Sequence, residues 1–143
     1  MDIMRKIAPV GNVYQAGTLS GNPIAVAAGL AMLRYITQHP EIYDQLEQRG
    51  QQLTGALVKN PPPGVTVNRV GAMFTMFFTK GPVTDWESAK VADTQRFARF
   101  FQFMLERGVY LPPSQFEAAF LSTVMTEADI AKTVGAVREF FAQ

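Results

Sequence analysis

The sequence predicts an α+β fold: helices packed on one face of a mainly antiparallel sheet, preceded by a long buried helix. Three observations predict it. Segments of helical apolar period and short strand-like runs follow in the order helix, helix, strand, strand, helix, strand, helix. Gly71-Ala72 between the first two strands permits a tight hairpin, so those strands pair antiparallel. Residues 24–33 are apolar on nearly every side, the pattern of a helix without a solvent face.

Each element has a local reason. Residues 1–8 read as the tail of a helix, ended at 9–12, so the chain reads as part of something larger. An extended loop then runs to Ser20. Asn22 is a good N-cap and Pro23 suits the first helical position, which starts a helix over 23–38. Its apolar surface predicts contact with a further domain or a second chain, and Gly29 marks a close helix contact. His39-Pro40 breaks that helix and opens another over 40–59, with Ile42, Leu46, Leu53 and Leu57 in one stripe. Residues 60–64 form a stiff turn.

Residues 65–70 alternate as a strand, and 73–79 follow as a second strand apolar on most of both faces. The connection 83–92 surrounds the only tryptophan, Trp86. A helix from Asp93 or Thr94 to Arg107 repeats Phe97, Phe100, Phe101, Met104 and Leu105 at helical spacing, with Gly108 as its left-handed stop. Short strands follow at 109–111 and 118–122, separated by Pro112-Pro113 and a loop at 114–117. Thr126 and Asp129 cap a last helix with Ile130, Val134, Val137 and Phe141 inward.

Composition narrows the function. With 143 residues, 48% hydrophobic and 17% charged, the chain can build a core and is not disordered. A formal charge of +1 creates no field for nucleic acid or an anionic membrane. The absence of cysteine excludes a disulfide frame, a thiol nucleophile and a zinc–cysteine site. The first residues lack the apolar region of a signal peptide, and 24–33 is too short to span a bilayer, which points to the cytoplasm.

One stretch suggests chemistry. Gly17-Thr18-Leu19-Ser20-Gly21-Asn22-Pro23 leads hydroxyls into a helix start, where unpaired N–H groups favour an anion such as phosphate. The plain alternative is a capped helix without a ligand. Glu117 is a second candidate, and a solvated loop carboxylate is its plain alternative. His39 lacks a histidine partner and reads as a surface or capping residue; Arg69, before the hairpin, reads as a surface arginine able to meet a carboxylate. The Phe97-Phe100-Phe101-Met104 stripe is core.

Residues 14–23 resemble the stretch after the cofactor lysine in class III pyridoxal-phosphate-dependent aminotransferases, enzymes of fold type I. Residues 108–118, with Ser114-Gln115-Phe116-Glu117, resemble the aminomutase branch of that family. The resemblance implies that 1–38 ends the large cofactor-binding domain and that 39–143 is the small C-terminal α+β domain. It implies pyridoxal 5'-phosphate as cofactor, with Thr18, Gly17 and Ser20 at its phosphate across a homodimer interface. Gly21, Asn22 and Pro23 then look structural. It places Glu117 near a small-molecule substrate, orienting its amino groups. None of Lys6, Lys59, Lys80, Lys90 and Lys132 lies where the family puts the cofactor lysine, so no catalytic residue is assigned and the chain alone is expected to be inactive. Met125 stands where relatives usually have histidine. Two rivals remain: another class III aminotransferase, and a non-catalytic α+β interaction module.

Overall fold

The computed structural model describes residues 2–143. The chain divides into two compact units, one running to Pro40 and the other spanning Glu41–Gln143.

In the first unit, a single 3-10 turn at Met4–Lys6 stands where the tail of a longer helix was expected. Ile7 is already extended, and Ala8 precedes a proline, which disfavours helical backbone. Ile7 forms one parallel bridge with Val13. The expected long helix is α1, Pro23–Gln38, with Asn22 as N-cap and Pro23 in its first turn. The expectation that it is buried is not met within this chain. None of its residues is buried; Ile24 is 81% exposed and Leu33 65%. Apolar periodicity shows that a helix needs apolar neighbours. It does not show whether the same chain supplies them. Among the described residues, no helix is long and apolar enough to cross a membrane.

The second unit contains α2 (Glu41–Lys59), β1 (Thr66–Val70), β2 (Met73–Phe77), α3 (Trp86–Ala89), α4 (Thr94–Glu106), β3 (Ala119–Phe120) and α5 (Glu127–Phe141). Its sheet has the order β1-β2-β3, antiparallel throughout. The hairpin pairs Val70 with Met73 across Gly71-Ala72. Gly71 takes a φ of +58°, which a side chain would resist. Val67 and Met76 face each other across the strands and are both buried. They share one core with Phe97, Phe100 and Met104 of α4 and Ala136 and Val137 of α5, and Leu57 of α2 packs against it. Phe77 points to the opposite face, because side chains alternate along a strand. There it packs on Ala89 of α3 and on Val83 and Ala92.

Local chemistry sets the helix ends. Asp93 caps α4, accepting from Arg96 N at 2.8 Å. At its other end, Gly108 N bonds Leu105 O and Val109 N bonds Met104 O, both at 2.9 Å. This is a Schellman closure, with Gly108 at φ +71°. Thr126 and Asp129 cap α5 reciprocally. Asp85 and Ser88 do the same for α3, within the connection around Trp86.

Two expected strands differ in the structure. Residues 109–111 form no strand: Val109 N turns back to α4, and Pro112 and Pro113 carry no N–H for a ladder. The strand expected at 118–122 is reduced to Ala119–Phe120, paired with Phe74 and Met73. Helix α4 buries Phe97, Phe100 and Met104, while Leu105 is 41% exposed.

Candidate functional site

The loop ahead of α1 is a tight turn at 18–21. Ser20 N donates to Gly17 O at 2.9 Å, and Asn22 N donates to Leu19 O at 3.1 Å. Two glycines make it possible. Gly21 has a φ of +75°. A Cβ at Gly17 would lie 2.2 Å from Ser20 Oγ, so this position admits no side chain unless Ser20 moves. Gly17, Thr18 and Ser20 are all exposed. Among the described residues, none bonds to the hydroxyl of Thr18 or Ser20.

The helix start itself is closed. Pro23 has no N–H, and Asn22 Oδ1 accepts from Ile24 N at 3.0 Å and Ala25 N at 3.1 Å. Val26 N donates to Asn22 O at 2.9 Å. The expected unpaired N–H groups at the mouth of α1 are therefore occupied by Asn22. An anion here would meet the turn and its hydroxyls, with the helix dipole acting from behind the cap.

Glu117 lies in the second unit, exposed at the end of a turn over 114–117. Glu117 N donates to Ser114 O and Phe116 N to Ser114 Oγ, each at 3.2 Å. The turn is anchored from beneath by Gln115, which is only 2% exposed. Its Oε1 accepts from Phe78 N, just past β2, at 3.2 Å. Thr75 Oγ1 donates to Glu117 O at 3.4 Å. Beside the turn, Phe116 meets Trp86 edge-on at 5.4 Å. Sequence reasoning passed over Gln115, since nothing local separates a buried loop glutamine from a solvated one.

The other polar candidates have structural partners. Arg69 forms a two-pronged pair with Glu47 of α2, at 2.8 and 3.0 Å, and donates to Gly71 O at 2.7 Å. Hydrogen bonds from Arg69, then from Gln51, hold the Glu47 carboxyl below its usual range. Arg69 thus already has a carboxylate, supplied by its own fold. His39 packs against Tyr35 at the end of α1, with ring centres 4.4 Å apart. Met125 packs on the apolar cluster of Leu53, Leu121 and Ile130, surroundings that suit a thioether.

No family model matches the chain. A glutamate-1-semialdehyde 2,1-aminomutase of Thermus thermophilus is 52% identical over 141 residues, covering 96% of this chain and 33% of that protein. One from Myxococcus xanthus is 54% identical over 143 residues, covering 98% and 33%. Among solved structures, a β-phenylalanine aminotransferase from Variovorax paradoxus superposes with TM-score 0.72 at 25% identity, covering 99% of this chain and 33% of that one. A structure described as a transaminase with PLP bound superposes with TM-score 0.62 at 23% identity, a likeness of fold, covering 98% and 32%. The chain spans about a third of the length of the relatives it matches. Over nearly all of its own length, it is homologous to the glutamate-1-semialdehyde 2,1-aminomutases and shares the fold of the aminotransferases.

Proposed function

We propose that this chain is the C-terminal third of a glutamate-1-semialdehyde 2,1-aminomutase. The parent enzyme converts (S)-4-amino-5-oxopentanoate to 5-aminolevulinate for tetrapyrrole synthesis. The observation that carries this reading is 52% identity across 96% of the chain. On this reading the first unit ends the large domain and the second is the small domain. The parent acts in the cytoplasm as a homodimer.

Pyridoxal 5'-phosphate suits the turn before α1. Gly17 keeps the backbone bare, and the Thr18 and Ser20 hydroxyls stand exposed and uncommitted beside a capped helix start. Neutral donors orient a phosphate dianion without a competing negative charge. When bound, the cofactor supplies an exchangeable amine and an electron sink. The chain's part is to hold the phosphate at Thr18 and Ser20. Glu117 sets a carboxylate beside the substrate's amino groups, attracting them while they are protonated. The family's cofactor lysine has no counterpart among these residues, so the isolated chain does not turn over.

The test is a chimera in which these residues replace the corresponding third of the Thermus thermophilus relative. It should form 5-aminolevulinate from the semialdehyde without an added amino donor. Thr18→Val should weaken cofactor binding about tenfold, the loss of one charge-assisted hydrogen bond. Release of a 2-oxo acid co-product would instead mark an ordinary class III aminotransferase. The Ser114-Gln115-Phe116-Glu117 block argues against that outcome.

A further inference from the structure

The sheet of the second unit has two faces, and only one of them is fully covered. Val67 and Met76 point into the core shared with α4 and α5. Side chains alternate along a strand, so Thr66, Asn68 and Val70 of β1 and Met73, Thr75 and Phe77 of β2 point the other way. Phe120 of β3 joins them, because it stands opposite Met73 in the register.

One end of this outer face is roofed by the chain itself. Phe77 is buried against Val83, Ala89 and Ala92. The segment that carries Val83 over the sheet is pinned to β1. Thr66 Oγ1 donates to Gly81 O at 2.6 Å, and Asn68 Nδ2 donates to Val83 O at 2.7 Å. The other end is bare. Val70, Met73 and Phe120 lie side by side across the three strands and are 73%, 38% and 72% exposed. None of the outward residues of these strands is charged. A sheet face made for water places polar residues outward, and this row does not. Between the two ends, Thr75 Oγ1 donates to Glu117 O, so the turn that carries Glu117 rests on the same face. Phe116 of that turn meets Trp86 at the start of α3, and both are exposed.

We propose that the row Val70-Met73-Phe120 is the surface on which the part of the cofactor-binding domain outside this chain seats. This inference rests on the aminomutase reading. Two observations choose the occupant. The chain matches 33% of the length of its relatives, so most of such a protein has no counterpart here. The Glu117 turn lies on this face, so a substrate held by that domain meets Glu117 only if the domain approaches from this side. A second copy seated here would stand between Glu117 and the substrate. The row also sets the chemistry of its partner. It offers no countercharge, so the surface that covers it must be apolar, since a charge buried without a partner is costly.

The experiment is hydroxyl-radical footprinting, read by mass spectrometry, on the 143-residue chain alone and on the chimera with the Thermus thermophilus relative. Oxidation of methionine and phenylalanine side chains follows their exposure to solvent. Labelling at Met73 and Phe120 should be about tenfold slower in the chimera, as burial in an interface packed like a protein interior requires. Val70→Thr with Phe120→Thr keeps strand-forming residues on the face. Together they should lower the melting temperature of the chimera by about 5 °C and leave that of the chain alone within about 1 °C. Equal labelling in the two proteins, with a chimera that forms 5-aminolevulinate, overturns the inference and leaves the aminomutase reading standing. Slower labelling in a chimera that forms none keeps the surface and sinks that reading. Labelling already slow in the chain alone, with a dimer in sedimentation, gives the row to a second copy and overturns the inference. An equal loss of melting temperature in both proteins overturns it as well.

Discussion

The unit that runs to Pro40 and the unit that begins at Glu41 use apolar residues in opposite ways. In the second, Phe100 and Met104 are 1% and 0% exposed, inside a core that joins one sheet face to three helices. In the first, α1 is as apolar as any segment of the chain and buries none of its residues. Ile24, Val26, Leu30, Met32 and Leu33 all stand at 45% exposure or more. The difference teaches that apolar content measures a demand for burial, which a chain can meet within itself or leave to a neighbour. On the reading proposed above, the rest of the parent enzyme would supply that neighbour; the chain spans about a third of the length of its relatives.

That contrast can be broken by paired truncations. Phe100→Ala should cost about 3–5 kcal/mol of unfolding free energy in a urea titration, from lost transfer energy and the cavity left behind. Leu30→Ala in α1 should change the same titration by less than about 0.5 kcal/mol. Equal losses would show that α1 is buried in solution and erase the distinction. In the chimera, where a partner domain is present, Leu30→Ala should become costly.

A smaller effect sharpens the picture within the second unit. Gly50 of α2 lies against the hairpin, and a Cβ there would sit 2.4 Å from Gly71 O. That neighbour is backbone and cannot swing aside. Gly50→Ala should therefore cost about 1–3 kcal/mol by overpacking, read from the melting curve. Gly29 of α1 is the control, since a Cβ there meets nothing within 4 Å. Gly29→Ala should be neutral or stabilising by up to about 1 kcal/mol, on helix propensity alone.

The helix caps test the units on equal terms. Thr126→Ala should cost about 1 kcal/mol in the global unfolding of the second unit. Asn22→Ala removes a comparable cap, yet it should appear as faster amide exchange at Ile24 and Ala25, with little change in global unfolding. Equal global losses would mean that α1 unfolds together with the core.

The smallest effect is acid sensitivity. Hydrogen bonds from Arg69 lower the Glu47 carboxyl from its usual 4.5, and those from Arg107 lower Glu139 likewise. A carboxyl depressed in the folded state contributes fully above its ordinary value and loses that contribution as pH falls through the lowered one. Stability of the second unit should thus be level above about pH 5 and decline below it. Glu47→Gln should flatten part of that decline in thermal melts taken across the acid range. Both pairs are solvent-facing, so the effect is modest.

Much of the fold was legible in particular residues. Asn22-Pro23, Gly108 and the Thr126–Asp129 pair announced helix ends that the structure reproduces, because each cap is completed within a few residues. The Asp85–Ser88 pair carries the same kind of signal for α3, but a single turn is too short for periodicity to mark. The candidate site was less legible. Thr18, Gly17 and Ser20 stood out as an anion loop, yet Asn22's capture of the α1 amides depends on how one side chain folds back. Glu117 could be seen, but not the Gln115 beneath it.

The sequence by itself determined where α1, α4 and α5 begin and end, that Phe97, Phe100 and Met104 of α4 turn inward, and that residues 23–38 form a helix without a polar face. Those outcomes rest on hydrogen bonds and periodicities closed within one or two turns of chain. Only the tertiary structure decided that Arg69 answers Glu47, that β3 is cut to two residues, and that Gln115 is buried with its Oε1 accepting from Phe78 N. Each of these joins residues far apart in the chain. Partner choice at that range is set by packing and by the need to pair buried polar groups, which no local pattern records.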